Sequence, residues 1–324
     1  MLTPRPYQLE GRDFLAARRH ALLADEMRVG KTPQAILAAH KAGAQTLLVT
    51  CPAIAVPHWN REIERWWPSG PLPRWQVWSY DRARSEWEGD RRGAVDVFIP
   101  DEAHFAKNPK AKRTKMVYGK DGFSRYAGAV WPLSGTPAPK HAAELWPMLR
   151  AFGAAGMTYD EFIRRYCTVN PLTMRITGTK VERIQELRDL LGKIMLRRTR
   201  RQVAPDMPAI DFQFLDVRPK ATPGYAIPAR LDDDALLEWV EAHSAVNAQD
   251  RQEVATAKVE PLADEIQFAI ENELLVQTVV FGWHVAPLIA LTATLRERGI
   301  TANAITGATR NADRDGIQVS FSKR

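Results

Sequence analysis

The stretch Ala24–Thr32, AlaAspGluMetArgValGlyLysThr, constrains this chain more than any other. It follows one apolar helical run and leads into a second, ProGlnAlaIleLeuAlaAla. A loop that ends in Gly-Lys-Thr and opens directly into a helix is a phosphate cradle, because backbone N–H groups and the helix N-terminus point at anionic oxygens. Asp25, Arg28, Val29, Gly30, Lys31 and Thr32 are therefore the candidate nucleotide contacts. Lys31 reaches the outer phosphates and the Thr32 hydroxyl can hold Mg²⁺. Downstream, AspGluAlaHis at 101–104 closes an apolar, strand-like run. Asp101 is placed to hold the same Mg²⁺ through water, and Glu102 to polarise an attacking water. Lys31 and Glu102 are the candidate catalytic pair of a nucleotide-driven machine.

A chain of 324 residues is long enough for two domains with proper cores. The net charge of +7 and a pI near 9.5 point to an acidic partner, with nucleic acid first among candidates. Cys51 and Cys167 lie far apart without metal-ligand spacing, so neither a disulfide framework nor a zinc site is implied. The N-terminus carries no apolar signal core. The uncharged run from Leu274 to Leu295 is broken by Gln277, Gly282, His284 and Pro287, and reads as strand, turn and helix rather than a membrane span.

In chain order, ThrProArgProTyrGln (3–8) precedes an amphipathic helix, and the Gln8 amide can both donate and accept, which suits the edge of an adenine. Leu47–Thr50 reads as a buried strand, followed by a helix and by Trp59, Trp66, Trp67, Trp75 and Trp78, whose main use is core packing. Val95–Ile99 is the strand that feeds Asp101. The basic segment 107–115, with Lys107 and Asn108, reads as a solvated loop or a phosphate-backbone contact. Residues 130–140 form a strand running into a Ser-Gly-Thr-Pro turn, and its small hydroxyl residues can relay the state of a γ-phosphate. Arg197, Arg198, Arg200 and Arg201, four arginines in five positions, are not expected to be buried and face either solvent or an anion. Asp232–Asp234 opens a helix, and Glu253–Ile270 is helical with Pro261 as a break or fresh start. Val279–Trp283 is a further buried strand. Leu288–Arg298 is a helix closed by Gly299, 304–310 a strand entering a turn, and Ala312–Phe321 a final helix. The fold class is α/β: two RecA-like parallel-sheet lobes of a P-loop NTPase, 1–205 and 206–324, the second incomplete.

These residues also carry a family likeness. ArgProTyrGln (5–8), AspGluMetArgValGlyLysThr (25–32), AspGluAlaHis with LysAsnPro (101–109), LeuSerGlyThrPro (133–137) and MetLeuArgArgThr (195–199) occur in an order and spacing that resembles the Swi/Snf-type ATPases of helicase superfamily two. Among them the compact bacterial and phage members and the annealing-helicase branch are most alike. ValValPheGlyTrpHis (279–284) and IleThrGlyAlaThrArg (305–310) resemble the opening of that family's second lobe. The resemblance implies a motor that hydrolyses ATP with Mg²⁺ and translocates along duplex DNA, gripping phosphates rather than bases. By position it implies Gln8 on adenine, Lys31 on phosphate, and Thr32 and Asp101 on Mg²⁺. Glu102 falls on the attacking water, while His104, Ser134 and Thr136 couple the nucleotide to DNA. Lys107, Asn108, Arg197 and Arg198 then fall on the DNA side. The place it implies is the cytoplasm of a bacterium or a phage-infected host.

The chain departs from the family pattern at Arg28, where glycine is usual, at Pro100 before Asp101, and at Lys140, where asparagine is common. The family's last two motifs, which carry a glutamine and the arginines that reach the γ-phosphate, are not found before Arg324. Such an arginine is worth about 10³–10⁵ in turnover. The expectation is a truncated or split chain that needs a further segment or protein subunit and turns over weakly by itself. The alternative is a hydrolysis-deficient, ATP-gated DNA-binding module. An RNA helicase is disfavoured by LysAsnPro and LeuArgArgThr.

Overall fold

The computed structural model describes residues 2–90, 93–203, 205 and 244–322. The chain divides into two compact units, Met1–Ala209 and Ile210–Arg324. Asp232–Asp234 lie outside the described residues.

In the first unit, helix α1 (Pro6–Ala16) begins with proline at its first position, where the missing N–H has no helical partner to lose. Strand β1 (Leu22–Leu23) leads into the phosphate-type loop and then α2 (Lys31–Lys41). Next come β2 (Thr46–Cys51), α3 (Val56–Trp66), β3 (Arg74–Ser79), α4 (Tyr80–Glu88) and β4 (Val95–Pro100). The Ser79 hydroxyl accepts the Arg82 N–H and so caps α4. Helix α5 (Lys112–Tyr118) and β5 (Ala127–Val130) follow. The strands pair in parallel in the order β3-β2-β4-β5, with Leu47 opposite both Trp75 and Val97. Parallel bridges His20–Val130 and Leu23–Leu133 then set β1 beside the continuation of β5. The alternation of strand and helix forces this topology, because each parallel pair needs a crossover and the crossover helices must cover the sheet's faces.

One apolar layer centres on Leu15, Ile36, Leu47, Val49, Trp59 and Ile99, and another on Leu48, Trp78, Phe98, Met116 and Phe123. Trp59 and Trp78 are buried and Trp66, Trp67 and Trp75 half-buried, in keeping with a packing use for the tryptophans. Pro100 ends β4, and the carbonyl it retains accepts the Leu133 N–H at 2.9 Å. The unit continues through α6 (Trp146–Ala151), α7 (Tyr159–Tyr166), an antiparallel hairpin of β6 (Cys167–Val169) and β7 (Ile176–Thr179), and α8 (Ile184–Gly192). Strand β8 (Met195–Leu196) then returns to pair in parallel with β1, ahead of the short helix α9 (Arg200–Val203).

Among the described residues of the second unit, the helices expected at 253–270, 288–298 and 312–321 form. Ser244–Ala257 and Val259–Glu271 meet at Lys258, so Pro261 falls in the first turn of a fresh helix, where proline is tolerated. Helices Val285–Glu297 and Asn311–Ser322 follow, and Gly299, at φ 78°, closes the former. Val259, Ala263 and Ile266 pack against Leu291 and Leu295. Arg298 ties the two helices through Glu260 at 2.6 Å and Asp264 at 2.8 Å.

The expected strands at 279–283 and 304–310 do not form: no residue of this unit that is described belongs to a strand. Val279 is 60% exposed, Phe281 91% and Trp283 94%. Apolar composition alone does not make a strand. Without a neighbouring ladder the backbone has no strand to pair with, and of the 279–283 side chains Val280 packs against the helices while the larger Phe281 and Trp283 stay exposed. Cys51 and Cys167 are both free and buried. Among the described residues no helix is long and apolar enough to cross a membrane.

Candidate functional site

Three loops meet at the carboxyl edge of the sheet because their strands are neighbours, the place where open parallel sheets bind ligands. Residues 24–30 leave β1, 101–104 leave β4 and 133–137 continue β5.

The first loop is tightly specified. Gly30, at φ 77° and ψ 52°, is the cap of α2, so the free amides of that helix's first turn face the loop's interior. A Cβ at Gly30 would come within 2.5 Å of Gln8 Nε2, so backbone conformation and space both demand glycine. Gln8 is buried, its Oε1 accepts the Arg5 N–H at 2.9 Å, and its other end touches the loop. Arg28 takes φ 67°, the conformation that a glycine adopts freely and an L-residue adopts at a cost of about 1–2 kcal/mol. The departure from glycine thus keeps the loop's shape. Val29 is buried beneath it.

Lys31 folds back over its own loop. Its Nζ donates to the Asp25 carbonyl at 2.9 Å and the Glu26 carbonyl at 3.2 Å. Burial pulls its pKa below the ordinary lysine value, Arg197 adds to that, and Glu102, Asp101 and Asp25 oppose it. Thr32 is half-buried in the first turn of α2.

At the second loop, Asp101 is fixed from several sides. Its Oδ2 accepts the Trp59 indole N–H at 2.8 Å and its Oδ1 the Glu102 amide at 2.9 Å. The Tyr80 hydroxyl donates to the Asp101 carbonyl at 2.7 Å. Burial raises the Asp101 pKa; the Trp59 bond, the Glu102 amide and Lys31 act against it. Glu102 sits at φ 49°, a left-handed conformation costly for a residue with a Cβ and often found where function demands it. Its Oε2 lies 3.2 Å from His104 Nδ1, which lies 3.2 Å from Ser134 Oγ. The Thr136 N–H donates to that same Ser134 oxygen at 3.3 Å. Glu102, His104, Ser134 and Thr136 thus form one connected chain of polar groups. A hydroxyl and a carboxylate, Thr32 and Asp101, are hard oxygen donors of the kind Mg²⁺ takes together with phosphate and water oxygens.

The residues assigned to DNA fare differently. Arg198 does not face outward: its side chain is 11% exposed and pairs with Asp25, itself 0% exposed, at 2.6 Å. A fully buried carboxylate needs a cation, and Arg198 is the one that reaches it. Asp25, expected to meet the nucleotide, therefore serves the loop from beneath, with both carboxylate oxygens occupied. Lys107 is drawn to the buried Glu144 at 2.8 Å for the same reason. Asn108 spends its Oδ1 on the Lys110 amide, an exposed turn contact. Arg197 is exposed and donates to the Gly135 carbonyl at 3.2 Å. A Cβ on Gly135 would stand 3.6 Å from Lys31 Nζ, so Arg197 lies at the mouth of the phosphate loop.

Four contributors escaped the sequence reading: Trp59, Tyr80, Gln34 and Gly11. Only Gly11 carried a signal, a glycine inside a helix, where it is unfavourable unless something approaches closely. A Cβ there would fall 1.7 Å from Gln34 Oε1.

Comparison with known proteins gives a consistent picture. The family model described as the SNF2-related domain matches residues 7–99 and 76–222. The chain is 27% identical over 348 residues to a Caenorhabditis elegans "SWI/SNF-related matrix-associated actin-dependent regulator of chromatin subfamily A-like protein 1 homolog", covering 98% of this chain and 49% of that protein. It is 29% identical over 340 residues to the Bos taurus protein of the same name without "homolog", covering 98% and 36%. It is 27% identical to the mouse "DNA annealing helicase and endonuclease ZRANB3", covering 98% and 33%. The chain thus spans half or less of the length of these relatives. Among solved structures, a Sulfolobus solfataricus SWI2/SNF2 ATPase core in complex with dsDNA superposes with a TM-score of 0.55 at 19% identity, covering 100% of this chain and 76% of that one. That likeness is one of fold.

Proposed function

Since the chain belongs to the SNF2-related domain family, we propose that it is an ATP-dependent motor acting on duplex DNA, with its nucleotide site at the carboxyl edge of the first unit's sheet. The observation that carries this reading is the junction of the three loops, where Lys31, Asp101, Glu102 and the His104–Ser134–Thr136 chain converge. ATP with Mg²⁺ would supply the phosphoanhydride bond and the charge neutralisation that phosphoryl transfer requires.

The residues divide the remaining work. Lys31 and the first-turn amides of α2 hold the phosphate oxygens, and Gln8 stands beside Gly30 for the base. Thr32 and Asp101 would hold the metal, and the Trp59 indole N–H keeps the Asp101 carboxylate aimed. Glu102 orients water and takes its proton at the carboxylate. His104 Nδ1, in reach of both Glu102 and Ser134, passes the protonation and position of that carboxylate to the Ser134–Thr136 turn. A duplex partner gripped by its phosphates fits the +7 charge, and its binding should weaken steeply with salt.

Steady-state ATP hydrolysis by residues 1–324, with and without duplex DNA, tests the proposal. The expected result is turnover that DNA stimulates and Lys31→Ala abolishes. Nucleotide binding without turnover would favour the second reading, an ATP-gated DNA clamp. The unladdered segment 279–283 supports that reading, since a motor needs a second rigid lobe. No nucleotide binding at all would overturn both.

A further inference from the structure

The MetLeuArgArgThr segment does more than end the first unit. Its backbone zips onto the phosphate loop: Leu22 N–H donates to the Ile194 carbonyl, Ala24 N–H to Leu196 and Glu26 N–H to Arg198, at 2.7, 2.7 and 2.9 Å. The Arg198 side chain then reaches both ends of the loop. At the start, its Nε and its backbone N–H donate to Asp25 Oδ1 at 3.1 and 3.0 Å, and Nη2 to Asp25 Oδ2 at 2.6 Å. Towards the end, Nη2 also donates to Gln34 Oε1 at 2.8 Å, and the Gln34 amide donates to the Gly30 carbonyl at 3.1 Å and to Asp25 Oδ2 at 3.2 Å. Nη1 anchors the assembly to α1 through the Tyr7 carbonyl at 2.6 Å and Glu10 at 3.2 Å. The bare Gly11 leaves room for this: a Cβ would also stand 3.0 Å from Arg198 Nη2. The clamp holds Asp25 by its carboxylate and Glu26 by its N–H, and the carbonyls of the same two residues receive Lys31 Nζ.

We propose that Arg198 is a positioning residue for nucleotide binding: by clamping Asp25 and, through Gln34, Gly30, it sets the loop shape that Lys31 and the α2 amides present to phosphate. Arginine suits the task because its planar fork bonds several acceptors at once, which a lysine ammonium cannot do at fixed directions. The assignment rests on the phosphate-loop reading above, and a Lys31→Ala control separates the two.

The test uses residues 1–324, with a fluorescent ATP analogue plus Mg²⁺ for nucleotide and labelled duplex DNA for the other ligand. Arg198→Ala is expected to weaken nucleotide binding about 10- to 100-fold, the cost of a small displacement in a positioned site. DNA affinity should stay within about twofold. Arg198→Lys should not restore the loss. Arg198→Ala leaves Asp25 buried without a cation, so it can fail to fold. Asp25→Asn/Arg198→Gln removes both charges and decides that case. Its melting temperature should recover toward that of the parent while nucleotide affinity stays weak.

Recovery of affinity together with melting temperature would reduce Arg198 to a structural role and overturn the proposal. Unchanged nucleotide affinity in a folded Arg198→Ala protein would also overturn it, as would an equal loss for DNA. If Lys31→Ala leaves nucleotide binding intact, the phosphate-loop reading itself has failed.

Discussion

Val95–Pro100 and residues 279–283 are built from similar material, ValAspValPheIlePro in one and ValValPheGlyTrp in the other. The first lies between β2 and β5 with Phe98 and Ile99 wholly buried; the second is irregular, unpaired with any described strand, and bares Phe281 and Trp283 to solvent. Each β4 residue on the ladder has a neighbour that takes its N–H or C=O, and the helices on either face take its side chains. At 279–283 no strand partner is present among the described residues of that unit; Val280 packs against its helices, while Val279, Phe281 and Trp283 stay exposed. Hydrophobic pattern states what a segment would do with a partner, and topology decides whether it has one.

The largest effect expected from that contrast lies in paired truncations. Phe98→Ala should cost about 3–5 kcal/mol in urea-monitored unfolding, the range for deleting a buried aromatic ring. Phe281→Ala, at 91% exposure, should stay within about 0.5 kcal/mol. A loss at Phe281 near that at Phe98 would break the comparison, because it would mean the segment is buried in solution.

Gly11→Ala sharpens the same contrast inside the packed unit. The added methyl meets Gln34 Oε1, so overpacking should cost about 1–3 kcal/mol, read from the unfolding midpoint. Gly307→Ala, where a Cβ meets nothing within 4 Å, is the matching control in the second unit.

A smaller gain is expected at Arg28. Glycine there would release the left-handed strain of about 1–2 kcal/mol, while adding chain entropy to the unfolded state worth about 0.5–1 kcal/mol. Arg28→Gly should therefore stabilise the first unit by up to about 1 kcal/mol in thermal unfolding, and a destabilised variant would contradict the backbone reading.

The smallest effect concerns acid. Asp96 is held below the ordinary carboxylate range chiefly by the Gln45 amide, with the Thr46 hydroxyl and amide helping. Hydrogen bonds from Arg12 and Lys41 bring Asp13 to about 2. Both pKa values are lower folded than unfolded, so their stabilisation is complete above about pH 4–5. It is lost as pH falls toward 2. Both groups are exposed, so each contributes no more than about 1 kcal/mol. Unfolding of the parent and Asp96→Asn at pH 7 and pH 3 should show a shallower pH dependence in the variant; an equal dependence would remove Asp96 from the account.

The sheet of the first unit was legible because its strands are apolar runs ending in chemistry-bearing loops, as Val95–Ile99 ends at Asp101. The loop's shape was legible too, down to the left-handed backbone at position 28, where arginine stands in place of the family's usual glycine. What the sequence did not distinguish was direction. Arg197 and Arg198 are adjacent and chemically identical, yet one opens to the mouth of the site and the other is buried against Asp25. A pattern of charges does not reveal which of two neighbours faces a carboxylate contributed from the far end of the sequence. The pairing of Lys107 is hidden in the same way, because its partner Glu144 follows α5 and β5 in the chain. Trp59 and Tyr80 left no trace, since their bonds to Asp101 arise only once β2, β3 and β4 are side by side.

The clamp on the phosphate loop joins residues 173 positions apart in sequence. During synthesis at about 5–20 residues per second, the loop would wait about 10–35 s for Arg198 to be made. Through that interval Asp25 has no cation and the loop no zipper, so the site that defines the protein is among the last parts of its unit to take shape. A nascent chain stalled before Arg198 would carry the whole Gly-Lys-Thr signature and still lack a formed nucleotide pocket.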